Sequence, residues 1–445
     1  MRHTAALLLL GIAGLGAQFA AQAQIAVQNQ GYMPFTDEPI SYRSEDIHDP
    51  VRKLEDAIEA GKATVSWDND WGYLKSVLKL LNVPVESQTL VFSKTSFQYP
   101  KITPDHPRAL YYNDDVYVGK VHDGKAIEIV AFDARQGAIF WLLDEHKVDQ
   151  PRFQRAELDC TQCHIAAGTR GVPGVLLRSV YPTDTGTLLP GAPQYITDQD
   201  SPLSERWGGW FVSAKGVEAA SLAASVAADA PAGTVVQTSD PAAHKLSPLS
   251  ATPYKAADYL IPDSDPVALL VLAHQTQAHN LITLTNYKTR IALYKDPALA
   301  DGTRRQFERP AEQLLRYFLF ANEAPLSGLD SQVLLNSPYA RQFAARGPRD
   351  SKGRSLRDFD LKTRIFKYPL SYLVYTDAFD AIPEPAKSYV YHRLLQILTG
   401  QDTSDDFARL TADDRRAVLE ILLETKPGLP DEWQQYARIN HLKII

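Results

Sequence analysis

The pattern of hydrophobic and polar positions divides the 445-residue chain into regions of different character. Residues 88–216 contain short runs of β-branched and aromatic side chains, such as "AIEIVAFD" and "GAIFWLLDEH", separated by turn formers. Such runs are typical of strands and hairpins. From residue 256 to residue 445, apolar side chains recur at the helical period, and several segments begin at Asp, Thr or Pro and end at Gly. The sequence therefore predicts an α+β fold, with a β-rich segment followed by a mainly helical C-terminal segment.

Two further regions flank the β-rich segment. Residues 24–87 are mixed and contain two predicted helices, in "VRKLEDAIEAGK" and "WGYLKSVLKLLNVP". The stretch from Val217 to Pro253 is rich in Ala, Ser, Thr, Pro and Asp and has no aromatic residue. We therefore predict that residues 217–255 form a flexible loop or linker.

The N-terminal residues 1–23 have the three parts of a secretory signal peptide. A short basic start at Arg2 and His3 precedes an apolar stretch from about Ala5 to Ala17, and the small-x-small site "AQA" follows. The apolar stretch is shorter than the roughly 18 residues that a membrane anchor needs. No later segment is long and apolar enough to span a bilayer. The sequence thus predicts export to a bacterial periplasm and no stable membrane span.

Composition narrows the kinds of partner. The chain is 44% hydrophobic and 22% charged, which is typical of globular proteins, and its formal net charge is −7. No block of Lys and Arg exceeds two or three residues. Because nucleic-acid surfaces need clustered positive charge, no nucleic-acid partner is expected.

The chemistry of the chain is concentrated in "DCTQCHIAAGTRG". This stretch holds the only two cysteines, Cys160 and Cys163, directly followed by His164. C-x-x-C-H is the attachment signature of a c-type haem. The two thiols add to the porphyrin vinyl groups, the histidine binds the iron, and its other ring nitrogen donates to a carbonyl group. The motif therefore predicts one covalent haem c with His164 as the proximal ligand.

The same residue types could also form a redox-active dithiol or part of a zinc site. A thioredoxin-like dithiol needs the motif at the start of a helix, directly after a strand of a βαβ unit, and the upstream runs read as hairpins instead. A closed zinc site needs four ligands, and no second ligand pair lies near the motif. Both alternatives are weaker than haem attachment.

The sixth position of the iron has several candidate ligands. Met33 is the only methionine left once the signal peptide is removed, and it lies far upstream of the motif. In "LAHQTQAHNLIT", His274 lies on an apolar helical face, whereas His279 lies about 140° around the helix and is expected at its rim. His274 is therefore either the distal iron ligand or a core histidine satisfied by a local hydrogen bond. An open iron position is the remaining alternative.

Other side chains near the motif are candidates for the haem pocket. Arg178 suits a bidentate contact with a haem propionate. Trp141, Trp207 and Trp210 either wall the haem or simply pack in the core.

The order of these segments resembles a group of large exported bacterial proteins with one C-x-x-C-H motif, described as cytochrome c-like. The resemblance runs through "ALYYNDDVYVG", "CTQCH", "SERWGGWFV", "LAHQTQAHNLIT" and "RIFKYPLSYLVYTDAFDAIP" and covers most of the mature chain. It implies haem attachment at Cys160, Cys163 and His164, and no substrate. The chain lacks the second C-x-x-C-H of dihaem peroxidases and dihaem rubber oxygenases.

Three functions fit these features. The first is periplasmic electron transfer to a redox partner protein. The second is a haem enzyme acting on a small molecule such as O2, peroxide or a nitrogen oxide at an open distal site, which the length of the chain favours. The third is a haem-based sensor or a docking subunit.

Overall fold

The computed structural model describes residues 33–156, 158–212, 253–326 and 329–445, and it has the predicted α+β fold. A β-sheet occupies the N-terminal half and helices make up most of the C-terminal half. The predicted signal peptide, residues 1–23, lies outside the described residues. So does most of the predicted linker, which the structure describes only from residue 253.

Two helices precede the sheet, α1 (Pro50–Glu59) and α2 (Leu74–Leu80). Helix α1 begins where the side chain of Asp49 accepts hydrogen bonds from the amides of Val51 and Arg52. This capping satisfies backbone donors that the first turn leaves without partners. Helix α2 lies within its predicted segment, and α1 begins at Pro50, one residue before the segment that the hydrophobic period predicts.

The sheet has seven strands, in the order β6-β5-β4-β3-β2-β1-β9, and every neighbouring pair is antiparallel. Two further strands, β7 and β8, form a separate antiparallel ribbon. The strands are β1 (Thr89–Val91), β2 (Arg108–Tyr112), β3 (Val116–Lys120), β4 (Ala126–Asp133), β5 (Gly137–Asp144), β6 (Phe153–Arg155), β7 (Leu177–Val180), β8 (Gln194–Thr197) and β9 (Trp210–Phe211).

Successive side chains of each strand enter different cores, because they alternate between the two faces of the sheet. One face carries Tyr112, Tyr117 and Phe140, which pack in the core shared with the C-terminal helices. We call it the motif face. The opposite face carries Ile129 and Trp141, which pack with the N-terminal segment. We call this second face the N-terminal face.

A short helix lies between the sheet and the ribbon, and the remaining helices follow the ribbon. They are α3 (Leu158–His164), α4 (Pro266–Lys295), α5 (Asp301–Phe318), α6 (Ser331–Leu335), α7 (Pro338–Ala344), α8 (Asp377–Asp380), α9 (Glu384–Leu398), α10 (Ala412–Thr425) and α11 (Asp431–Ile439). Among the described residues, none of these helices has the length and apolar character needed to cross a membrane.

Helix α4 is the central element of the fold. It has 30 residues, which corresponds to a length of roughly 45 Å. The hydroxyl of Tyr287 donates to the backbone carbonyl of Gln136 at 2.7 Å on the sheet side. The amide of Asn286 donates to the carbonyl of Ala381 at 2.9 Å on the helical side. Because both sides are covered, most residues of α4 are buried, polar ones included.

Candidate haem-attachment site

The C-x-x-C-H motif lies on helix α3, which follows strand β6. Cys160 and Cys163 are three residues apart and His164 is four from Cys160, so one side of a single helical turn carries all three. Cys160 is partly buried and packs against the main core, whereas Cys163 is exposed. The two sulfur atoms are not joined in a disulfide. A disulfide therefore does not occupy the two sulfur atoms that thioether bonds would use.

The imidazole of His164 is held in one orientation. Its Nδ1 atom lies 2.9 Å from the carbonyl oxygen of Gly174, and the ring packs on Phe140 with 4.9 Å between ring centroids. Burial lowers the pKa of His164 below its usual value, which favours the neutral ring. When Nδ1 donates to Gly174, the lone pair is on Nε2, and no hydrogen-bond partner for Nε2 is found in the described part of the chain. This is the state in which imidazole binds iron.

The loop after the motif holds the Gly174 carbonyl in place. The amide of Gly174 donates to the carbonyl of His164 at 3.1 Å, and the Thr169 hydroxyl donates to that same carbonyl at 3.2 Å. Asn280 on α4 accepts from the amide of Val175 at 3.2 Å and donates to its carbonyl at 2.8 Å. The loop is thus fastened to the most buried helix of the protein.

Gly174 can occupy its position only because it has no side chain. A Cβ atom there would overlap the Oδ1 atom of Asn280. A second contact between loop and helix comes from Gln277, whose amide donates to the carbonyl of Gly168 at 2.8 Å. Asn280 and Gln277 could not be identified from the sequence, since their partners in the loop lie more than 100 residues away in the chain.

The structure does not bring His274 to the motif. Its side chain is fully buried, with Nδ1 hydrogen-bonded to the Gln199 side chain and Nε2 2.8 Å from the Ser371 hydroxyl. The ring stacks on Tyr317 and Phe320. Burial lowers the pKa of His274 to about 3. As placed, His274 is the locally satisfied core histidine, and both nitrogens that could bind iron are engaged.

The prediction that His279 lies at the rim of the helix is wrong. His279 is fully buried, its Nε2 lies 2.7 Å from the carbonyl of Asp114, and its ring stacks on Phe132 at 3.9 Å. Burial lowers the pKa of His279 to about 4. The reason is that α4 is covered on every side, so the face that carries polar residues is as buried as the apolar one.

Met33 and Trp141 lie behind the sheet. Both belong to the core of the N-terminal face, whereas Phe140 beside His164 belongs to the motif face. The indole of Trp141 donates to Asp49 at 3.1 Å. Strand alternation thus separates Trp141 from the ring of its neighbour Phe140, and neither Met33 nor Trp141 adjoins His164.

The other flanking candidates lie near the ribbon. Trp207 and Trp210 are buried in the core on the motif side. The indole of Trp210 donates to the backbone carbonyl of Arg178 at 2.8 Å. The Arg178 guanidinium is partly exposed and hydrogen-bonds the side chain of Gln194 on the neighbouring strand.

One ion pair near His164 was not anticipated from the sequence. Arg108 on β2 and Glu128 on β4 are paired on the motif face. The charge of Arg108 lowers the pKa of His164 and that of Glu128 raises it, both less strongly than burial does. Strand alternation could have placed both residues on this face, but the sequence alone gave no sign of their proximity to the motif.

Comparison of the chain with models of protein families, with curated proteins and with solved structures finds no match. Within the described ranges, no three His, Cys, Asp or Glu side chains converge as they would around one metal ion. All seven strands of the sheet run antiparallel to their neighbours, so α3 is not part of the βαβ unit of a thioredoxin-like site. The residues of α3 do fit a covalent haem, because two thiols and an oriented imidazole share one helical turn.

Proposed function

We propose that this chain is an exported c-type haem protein that transfers electrons in the periplasm. One haem is bound through thioether bonds to Cys160 and Cys163, and His164 is the proximal ligand of its iron. The observation that supports this most is the orientation of His164, whose Nδ1 atom is held by the Gly174 carbonyl while Nε2 stays unengaged by the described residues. A fixed ring with a carbonyl behind it is the usual arrangement of a histidine that binds a metal.

The bound haem would supply a one-electron redox centre, and the chain would set its position and accessibility. The loop between Gly168 and Val175, fastened by Asn280, keeps the proximal imidazole from rotating. Because Cys163 is exposed, the porphyrin edge attached to it would lie at the protein surface. An exposed edge is what electron exchange with a periplasmic redox partner requires.

The second candidate is a haem enzyme acting on O2, peroxide or a nitrogen oxide at an open distal position. The observation that favours it is the environment of helix α4. His274 and His279 are buried, and each is bound to groups of the protein through at least one ring nitrogen. With these histidines engaged elsewhere, neither is available as the distal ligand of the iron.

A spectroscopic experiment tests both candidates. The chain is expressed with its signal peptide in a bacterium that has a c-type maturation system, and a pyridine haemochrome spectrum is recorded. Absence of a c-type α-band would refute haem attachment. If the band is present, a low-spin oxidised spectrum that cyanide and CO leave unchanged supports electron transfer. A high-spin spectrum that responds to both ligands supports the enzyme.

A further inference from the structure

The motif face of the sheet is only partly covered in one place. Tyr112, Tyr117 and Phe140 on this face are buried. A contiguous group on the same face is only partly buried, and we call it the open strip. The open strip consists of Arg108, Leu110, Glu128, Val130 and Leu142. Apolar side chains on the central strands of a sheet are usually covered. The partial exposure of this group therefore indicates that a bound molecule covers it.

The open strip lies between helix α3 and the ribbon. At one end, Val130 is paired with Phe140, the residue that the His164 ring contacts. At the other end, the hydrogen bond from Trp210 to Arg178 fixes the ribbon above strand β9. Strands β4, β3, β2 and β1 lie between strand β5, which carries Phe140, and strand β9, which carries Trp210. At about 4.8 Å per step between strands, β5 and β9 are roughly 24 Å apart, which is enough for a porphyrin ring.

The middle of the open strip is Gly119, which is buried. This residue faces Leu110 on one side and Glu128 on the other. The guanidinium of Arg108 is folded over it, since a Cβ atom on Gly119 would lie 2.5 Å from Nη2 of Arg108. Because position 119 has no side chain, the Arg108 guanidinium can lie directly against the backbone of β3.

The charged side chains beside Gly119 are held in place, but their hydrogen bonds are incomplete. Glu128 accepts hydrogen bonds from Ser96 at 2.7 Å and Gln98 at 2.8 Å and is also paired with Arg108. The Nε atom of Arg108 is buried and has no hydrogen-bond acceptor among the described residues. A buried donor without an acceptor destabilises the protein, and an anionic ligand that accepts from it would remove this cost. A porphyrin carries two such anions, its propionates.

We infer that the porphyrin lies along the open strip, with its apolar ring on Leu110, Val130 and Leu142 and one propionate bound by Arg108. This assignment rests on the proposed haem attachment. It replaces Arg178 as the propionate partner, because Arg178 lies on strand β7 of the ribbon and not on the open strip. The thioether bonds at α3 hold one edge of the ring, and the sheet supports its flat face.

The first test measures the reduction potential of the holoprotein. Arg108→Gln removes a positive charge beside the haem, which favours the more positively charged ferric state and lowers the potential. Arg393→Gln is the matched control, because Arg393 is similarly buried and pairs with Glu312 among the C-terminal helices. Arg178→Gln is the competing variant. An unchanged potential for Arg108→Gln, or a shift confined to Arg178→Gln, would overturn the inference.

The second test does not depend on the potential. Val130→Cys places a thiol in the open strip, and Val148→Cys places one at an exposed position outside it. Both proteins are made with and without the haem maturation system, treated with a maleimide, and analysed by peptide mass mapping. We expect position 130 to react without haem and to be protected with it, and position 148 to react in both. Equal labelling at position 130 in both preparations contradicts the inference, and so does protection in both, which would mean that the chain itself covers the strip.

Failure of this inference can be told from failure of the proposed function. If wild-type protein gives no c-type haemochrome band, haem attachment itself is refuted. The band can instead be present while Arg108→Gln keeps the wild-type potential and position 130 still reacts with the maleimide in the haem-containing protein. In that case only the proposed position of the porphyrin is wrong.

Discussion

Gly174 lies so close to Asn280 that any side chain at the glycine would overlap the asparagine amide. This contact joins the loop that orients His164 to helix α4, the most buried element of the protein. The geometry of the motif therefore depends on a residue that is far from it in sequence.

Replacing Asn280 with Ala should weaken both the fold and the motif loop. Asn280→Ala removes two hydrogen bonds to the backbone of Val175, so we expect a loss of about 2–4 kcal/mol in the free energy of unfolding, measured in urea. Asn286→Ala, on the same helix, removes one hydrogen bond and is the control. The haem spectrum should change only in Asn280→Ala, because only that variant releases the Gly174 carbonyl. Equal stability and equal spectra in the two variants would contradict the role of Asn280.

Replacing His274 with Ala should affect stability and leave the iron unchanged. The variant loses two hydrogen bonds and opens a cavity among stacked rings, so we expect destabilisation of about 3–5 kcal/mol. Ser371→Ala removes one of these bonds and should cost about 1 kcal/mol. The electron paramagnetic resonance spectrum of the ferric haem should match that of wild type. A change from low-spin to high-spin iron in His274→Ala would instead identify His274 as the distal ligand.

The two buried histidines predict a stability that falls in mild acid. Burial lowers the pKa of His274 to about 3 and that of His279 to about 4, both below the value of about 6.5 expected for an unfolded chain. Below pH 6.5 the unfolded chain binds protons that the folded chain excludes, so the free energy of unfolding decreases. Each group contributes roughly 1.4 kcal/mol per pH unit, or roughly 2 kcal/mol between pH 6.5 and pH 5.

The contribution of His279 can be isolated by a variant. Buried carboxyl groups such as Asp115 and Glu323, each with a pKa raised to about 7, act in the opposite direction, so the slope of wild type alone is not diagnostic. His279→Gln should lose about 2 kcal/mol less than wild type between pH 6.5 and pH 5 in urea titrations. His441→Gln, at an exposed position, is the control and should follow the wild-type profile. Parallel profiles for wild type and His279→Gln would show that the imidazole titrates normally.

Replacing the cysteines and replacing His164 should have different effects on the haem. Cys160→Ala and Cys163→Ala should each keep haem bound to the denatured chain through one remaining thioether bond, whereas the double variant should release all haem into acidified organic solvent. His164→Ala should retain covalent haem and alter the spectrum of the ferric iron. Covalent haem in the double variant would refute thioether attachment.

The sequence allowed the fold class to be predicted because each half has a clear period. Alternating runs such as "AIEIVAFD" became strand β4 between Ala126 and Asp133, and the 3.6-residue period after residue 256 became helices. The seven-residue helix α3 was not predicted, since "LDCTQCH" is too short to show a period. Element type is readable from a local pattern only where the pattern repeats.

The candidate site was predictable only at the motif itself. The face of α4 on which His279 lies could not be assigned, because a helix covered on all sides has no apolar stripe to orient it. Asn280 and Gly174 were missed for a different reason. Their contact depends on a tertiary approach between segments about 100 residues apart, and nothing local marks either residue.

The pairing of strand β9 with strand β1 also affects the order of folding. Leu90 is paired with Phe211, so this ladder closes a loop of roughly 120 residues, at an entropic cost of about 4 kcal/mol. Contacts of such long sequence separation form late. The motif lies inside this loop, and we expect the segment with both thiols to stay open to a haem-attaching enzyme until the last edge of the sheet closes.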